Sequence, residues 1–144
     1  MIRFEKITKK NFRQAVDISV TKEQEEVIAP VVYSLAQCYI FPSNLFPFLI
    51  FDDDTPVGFI LFGIDEAEDE YEICRFMIDQ HKQKRGYGKA ALLMAIDYLK
   101  NKGAKLIELS HQTNNLSVGK LYQSVGFTYT GVIEDGEMMM QLEV

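Results

Sequence analysis

The stretch Gln83-Lys84-Arg85-Gly86-Tyr87-Gly88-Lys89-Ala90 gathers three cations and two glycines around one tyrosine. It stands out because the chain as a whole is acidic, with a formal net charge of -6. The pattern before it reads as a strand, the pattern after it as a helix. The first amides of such a helix have no intrahelical acceptor, and the helix dipole adds partial positive charge there. Gly86 and Gly88 carry no side chain to keep a ligand from the backbone. Such a turn can cradle an anion such as a pyrophosphate, with Lys84, Arg85 and Lys89 adding positive charge. The same residues also read as a plain connector with a solvated basic rim. Two sharper phosphate motifs fail on spacing. A G-x-G-x-x-G fingerprint needs glycine where Ala91 stands, and G-x-x-x-x-G-K-[ST] is not met.

Other chemistries find little support. Cys38 and Cys74 form no C-x-x-C, so neither a disulfide framework nor a zinc site is expected. His81 and His111 are too few for a His-rich metal site. A pI near 4.9 argues against general nucleic-acid binding and suits a cationic small-molecule partner. No apolar run approaches the roughly 18 residues of a membrane span, so no membrane association is expected. The start "MIRFEKITKK" lacks a hydrophobic signal region. Unpatterned cysteines then fit a reducing, cytoplasmic setting.

The elements that must position the turn follow from periodicity. "IRFEKIT" reads as a first strand. "NFRQAVDISV" reads as a helix with Phe12, Ala15, Val16 and Ser19 on one stripe and Asn11 as cap. Residues 22–40 continue helical, with Val27, Val31, Leu35 and Cys38 near one face and a break or helix start at Pro30. "PSNLFP" reads as a loop. "FLIF" and "PVGFILFGI" form a hairpin around "DDDTP". After the acidic loop "DEAEDE" comes the strand "YEICRFMID", then the turn. The helix behind the turn buries Leu92, Ala95, Ile96 and Leu99 and stops at Gly103. "KLIELS" is a strand, "NLSVGKLYQSVG" a helix, and the last 18 residues a hairpin around Asp135-Gly136. The order β-α-α-β-β-β-α-β-α-β-β predicts one α/β (α+β) domain over residues 1–144. Its sheet is mixed and mostly antiparallel, with a central parallel pair joined by a helical crossover.

With the elements placed, the chain resembles the GNAT superfamily of N-acetyltransferases. "QKRGYG" fits the family's Q/R-x-x-G-x-G/A signature, which follows a strand and opens a helix. "NLSVGKLYQSVGF" resembles its N-x-x-[AS]-x-x-L-Y-x-x-x-G-F segment, with Asn115, Leu121, Tyr122, Gly126 and Phe127 in register. Val118 replaces the usual small residue. The element order matches from end to end. "YEICRFMID" and the closing "GE" before an apolar strand further resemble bacterial spermine/spermidine acetyltransferases.

The resemblance implies acetyl-CoA as co-substrate, bound where the "CRFMI" strand splays from "KLIELS". Backbone groups of Phe76 and Ile78 would pair with the pantetheine arm as an added strand. The turn from Gln83 through Lys84, Arg85, Gly86, Tyr87 and Gly88 to Lys89 would hold the pyrophosphate. Asn115 would bond the cofactor or simply cap its helix. Tyr122 would be the general acid for the CoA thiolate, or a core tyrosine. Glu72 would be the base, with Cys74 or water as the alternative or a solvated strand-end carboxylate as its plain reading. Strand alternation puts Glu72, Cys74, Phe76 and Ile78 on one face.

An alkyl ammonium with pKa about 10.4 is only about one part in 2,500 neutral at pH 7, a cost of roughly 4.6 kcal/mol. Acid–base help of about 10²–10⁴-fold and close placement of amine and thioester must overcome that barrier. The acidic runs "DDD", "DEAEDE" and "EDGE" would draw in a polycation such as a polyamine, or are merely solvated loops. An amino acid, a peptide N-terminus or an aminoglycoside would serve the same chemistry. A CoA-binding sensor without turnover is the reading from another class. Finally, "EMMMQLEV" is apolar on both faces, which reads as a sheet edge covered by a second copy in a homodimer.

Overall fold

The computed structural model describes residues 1–144. It is organised on one seven-stranded sheet of order β1-β2-β3-β4-β5-β7-β6. In chain order the elements are β1 (Ile2–Lys6), α1 (Phe12–Asp17), α2 (Lys22–Glu25), α3 (Val31–Ile40), β2 (Leu45–Asp52), β3 (Thr55–Asp65) and β4 (Glu70–Ile78). Then come α4 (Tyr87–Asn101), β5 (Leu106–Gln112), α5 (Leu116–Ser124), β6 (Thr128–Glu134) and β7 (Glu137–Glu143). All neighbouring strands run antiparallel except β4 and β5, which are parallel and joined through α4.

Helices cover both faces of the sheet, and the strand sequences show why. Along β3 the run Phe59-Ile60-Leu61-Phe62 is wholly buried because alternate residues feed two different cores. Ile60 and Phe62 join Leu92, Ala95 and Leu99 of α4 on one side. Phe59 and Leu61 join Ala15 and Val31 on the other. A strand buried on both faces loses the polar alternation of a half-exposed one. The α4 stripe is as expected, with Gly103 at φ +109 ending the helix. The final turn is also as expected. Asp135 and Gly136 both have positive φ, the combination that a tight two-residue hairpin needs.

The structure differs from the sequence reading at the first helix and its cap, at the start of β2, along β4 and at β7. The first helix is short, and its buried residue is Ala15, with Ile18 and Val20 buried just beyond it, while Phe12 is exposed. Asn11 makes no side-chain cap; its amide donates to Lys6 O at 3.0 Å and its Oδ1 accepts from Thr8 N at 2.8 Å. The helical stretch of residues 22–40 is divided as expected, into α2 and α3 with Pro30 at the start of α3. Strand β2 begins at Leu45 and contains Pro47. β1 ends opposite Phe48, so Pro47 has a strand neighbour on one side only, where proline is tolerated.

The remaining two differences bear on function. β4 carries a bulge: Leu61 faces Arg75 but Phe62 faces Ile73, leaving Cys74 as an extra residue. A bulge breaks the two-residue alternation. Glu72 and Cys74 therefore do not share a face with Phe76 and Ile78. Phe76 packs in the α4 core together with Tyr71 and Ile73, and Ile78 packs against it, while Cys74 packs against the opposite one. Lastly, β7 is not an edge. It lies between β5 and β6, and Met140 is fully buried. The methionine run is apolar because it is interior, so it gives no ground for expecting a second copy. The sheet edges are β1 and β6.

Candidate active site

β4 and β5 are paired at one position only, Glu72 opposite Glu108. Beyond it the bulged β4 bends away, and its edge toward β5 is left without a strand partner. β5 meanwhile is fully paired with β7 on its other side. The result is a wedge-shaped cleft in the middle of the sheet. It holds two cavities of about 370 Å³ each. They share Ile28, Phe76, Asn115 and Val118 as walls, so they adjoin along the passage that the cleft makes.

The first cavity is walled by Phe76, Met77 and Ile78 of β4, by the turn, and by Asn115, Ser117, Val118 and Leu121 of α5. Gln83, Lys84, Gly86, Tyr87, Gly88 and Lys89 all line it, and Arg85 does not. Gly86 sits at φ +83 as N-cap of α4 with no side-chain cap, so the opening amides of the helix stay unpaired. The first helical bond runs from Ala90 N to Gly86 O at 3.2 Å. Three backbone donors and nearby lysines thus face the cavity, as an anionic ligand requires. The Gln83 amide donates to Ile78 O and to Gln24 Oε1, each at 2.9 Å, so the Ile78 carbonyl is already engaged. The Tyr87 phenol donates to Asp52 Oδ2 at 2.8 Å and ties the turn to the β2–β3 hairpin. Asn115 stands at the N-cap of α5 but makes no cap bond; its Oδ1 accepts only from Ser117 at 3.4 Å. Its side chain is therefore left to the passage.

The second cavity is bounded by Ile73, Cys74, Arg75 and Phe76 of β4, by Ser110, His111 and Gln112 of β5, and by Tyr122 and Glu137. Residues 25–30 roof it, including Glu25 and Glu26. Tyr122 is buried in the α4 core, yet no group of the chain bonds its hydroxyl. The only polar side-chain atom sealed without a partner is Ser34 Oγ, so the Tyr122 hydroxyl opens onto the cavity it lines. Burial, and then the charge of Glu137, hold that phenol far above its ordinary range and keep it protonated. His111 is buried beside it, its Nε2 paired with Tyr129 OH and its Nδ1 with Gln112 O, both at 2.8 Å. Position 119 must be glycine for this pair to form: a Cβ there would collide with Tyr129 OH and reach 2.7 Å from His111 Nε2.

Glu72 lies at the closed end of the cleft, outside the lining of both cavities. Crowding by the protein raises its affinity for protons, and Glu108 beside it adds to this against the opposing pull of Arg75. Burial and then Glu72 push the neighbouring Cys74 thiol up to about 12, so it stays protonated. The acidic loop of residues 65–70 lines neither cavity. The carboxylates that do are Glu25, Glu26 and Glu137, of which only Glu137 belongs to an acidic run singled out in the sequence. Glu25, Glu26, Arg75, Ser110 and His111 had no motif to mark them; they meet only through the fold.

Residues 10–127 match the Acetyltransferase (GNAT) family. This is most of the chain, and the protein belongs to that family. It is 29% identical over 99% of both chains to a protein described as a probable spermine N(1)-acetyltransferase from Bacillus subtilis subsp. natto. It is 28% identical, again over 99% of both, to the spermine/spermidine N(1)-acetyltransferase of Bacillus subtilis strain 168. Among solved structures, the spermidine N-acetyltransferase of Vibrio cholerae in complex with CoA and spermine superposes with a TM-score of 0.79. It is 15% identical and the match covers 99% of this chain and 95% of that one. The chain is thus a GNAT-type N-acetyltransferase with acetyl-CoA as co-substrate.

Proposed function

We propose that the protein transfers the acetyl group of acetyl-CoA to a primary amine of a polyamine, by direct attack in a ternary complex. The observation that carries this reading is the passage itself. Two cavities of different character meet at Phe76, Asn115 and Val118. One offers a free strand edge and unpaired amides, which fit an extended ligand ending in a diphosphate. The other offers carboxylates and a buried, unpaired phenol. Bound acetyl-CoA supplies an activated acetyl thioester. Phe76 and Ile78 orient its arm, residues 83, 84 and 86–89 of the turn hold its phosphates, and Asn115 reaches it from α5. Tyr122 donates its proton to the leaving sulfur. No residue is acylated, which agrees with a Cys74 thiol held protonated.

Glu72 takes the amine's proton in this scheme, through water across the Cys74 end of the cavity. Its raised affinity for protons suits that part. Glu72→Gln should then lower kcat and move the pH–rate profile to the alkaline side, because the amine must lose its proton unaided. An unchanged profile assigns the proton to water alone.

The polycationic acceptor rests on two supports: the named relatives, and the three carboxylates on the acceptor side. No ion pair neutralises them; the salt bridges of the chain join the N-terminal amine to Asp52 and Asp53, and Arg3 to Glu5. A thiol-release assay with acetyl-CoA and a panel of amines tests the whole reading. The kcat/KM for spermine should exceed that for a monoamine of similar length by well over about tenfold. Raising salt from about 50 to 500 mM should shrink the advantage, mostly through KM, because exposed charges are screened. A spermine advantage that ignores salt, or none at all, leaves the acetyltransferase standing and removes the polyamine.

A further inference from the structure

We infer that Glu137, at the first position of β7, is the residue that holds the reacting ammonium group of the acceptor beside Tyr122. The inference rests on the reading of the second cavity as the acceptor site and names the group that binds there.

Three observations converge on Glu137. It lines the cavity, along with Tyr122 and Arg75. Its carboxylate is fixed: Ser110 Oγ on the neighbouring β5 donates to Oε1 at 2.7 Å. A short bond of that kind locks the side chain, while Oε2 has no donor within the chain. Its negative charge also reaches Tyr122, where it is the second cause, after burial, that keeps the phenol protonated. Tyr122 itself brings the independent sign of a ligand. It is 5% exposed, its hydroxyl has no partner, and that hydroxyl faces the same space.

The one cation on the cavity wall does not answer this charge. Arg75 spends its guanidinium on Cys74 O at 2.9 Å and on Gln37 Oε1 at 3.2 Å. Glu137 therefore stands with a free oxygen and no cationic partner in a partly enclosed space. A primary ammonium has three donors and supplies what is missing: one N–H to Oε2 of Glu137, with the nitrogen beside the Tyr122 hydroxyl. Glu25 and Glu26 lie across the cavity on the roof, where a second ammonium of the same molecule would meet them. Placement at the start of β7 follows from the tight Asp135-Gly136 turn, which sets Glu137 opposite Gln112 of β5.

The test compares wild type, Glu137→Gln, Glu137→Asp and Ser110→Ala in the thiol-release assay, with spermidine and hexylamine as acceptors. Glutamine keeps the shape and the bond from Ser110 but loses the charge. The KM for both amines should rise about tenfold or more in Glu137→Gln, with the KM for acetyl-CoA within about twofold of wild type. Glu137→Asp should recover part of the loss. Ser110→Ala leaves the carboxylate but frees it, and should raise the amine KM by a smaller factor. It also serves if the glutamine variant folds poorly, which thermal unfolding would reveal. Unchanged amine KM in both Glu137→Gln and Ser110→Ala overturns the inference. So does a loss of kcat alone with amine KM intact, which would make Glu137 a proton carrier and not the anchor. A wild type that releases no thiol with any amine sinks the proposed function itself, a different result from an active wild type with indifferent variants.

Discussion

Gly86→Glu should reduce acetyl-CoA affinity by at least about tenfold while the protein stays folded. Gly86 has φ +83, and a Cβ built on it has no neighbour within 4 Å. The new side chain would therefore not strike the protein; it would project into the space over the α4 amides. The left-handed backbone makes any side chain there costly by about 1–2 kcal/mol. Gly86→Ala bears that same strain without charge or bulk, so it is the control. On the proposed reading, the carboxylate of glutamate would lie beside the unpaired amides and repel a diphosphate held by them. Calorimetric titration with CoA of wild type and both variants reads the difference. Equal affinities in all three would remove the turn from the cofactor site, however well its sequence matches.

Tyr122→Phe should lower kcat by about 10²-fold or more and leave the KM for acetyl-CoA nearly unchanged. The ring is packed, with its centroid 6.2 Å from Phe127 and 6.5 Å from His111, and phenylalanine keeps both contacts. The hydroxyl has no protein partner to orphan, so its removal should not cost stability. What is lost is a proton donor that burial and Glu137 keep neutral at every physiological pH. In the proposed mechanism it acts when the sulfur leaves as an anion, so the loss is expected in kcat. A near-normal kcat together with a lowered Tm would return Tyr122 to the role of a core residue.

Much of this was legible in the sequence, for identifiable reasons. The turn that opens α4 was readable because glycine at 86 and 88 meets a local demand, within a few residues of the helix start. The α4 stripe and the Asp135-Gly136 turn were readable for the same reason. The face of Glu72 was misread because the bulge at Cys74 comes from the pairing with β3, and no residue within β4 announces it. The methionine run was misread because a strand does not state how many neighbours it has; β6 covers what looked like an edge. The carboxylates lining the second cavity were missed in part because Glu25 and Glu26 lie in a helical stretch far from the motifs. Only the packing of α2 and the segment before Pro30 over the cleft brings them to Glu137.

The single pairing between β4 and β5 also has a consequence for how the molecule comes apart. β1–β4 and β5–β7 are two panels joined by one stitch, Glu72 to Glu108. Side chains hold them together instead: Leu92 and Leu99 of α4 lie in one core with Ile60 from the first panel and Ile107 and Met140 from the second. Hydrogen bonding and packing thus divide the labour here, one building the panels and the other fastening them. Along β4, amides turned toward β3 are locked in a ladder while alternate ones beyond the stitch face the open cleft. Neighbouring amides of one strand should accordingly differ widely in deuterium uptake, and a ligand laid along that edge would act as the missing strand.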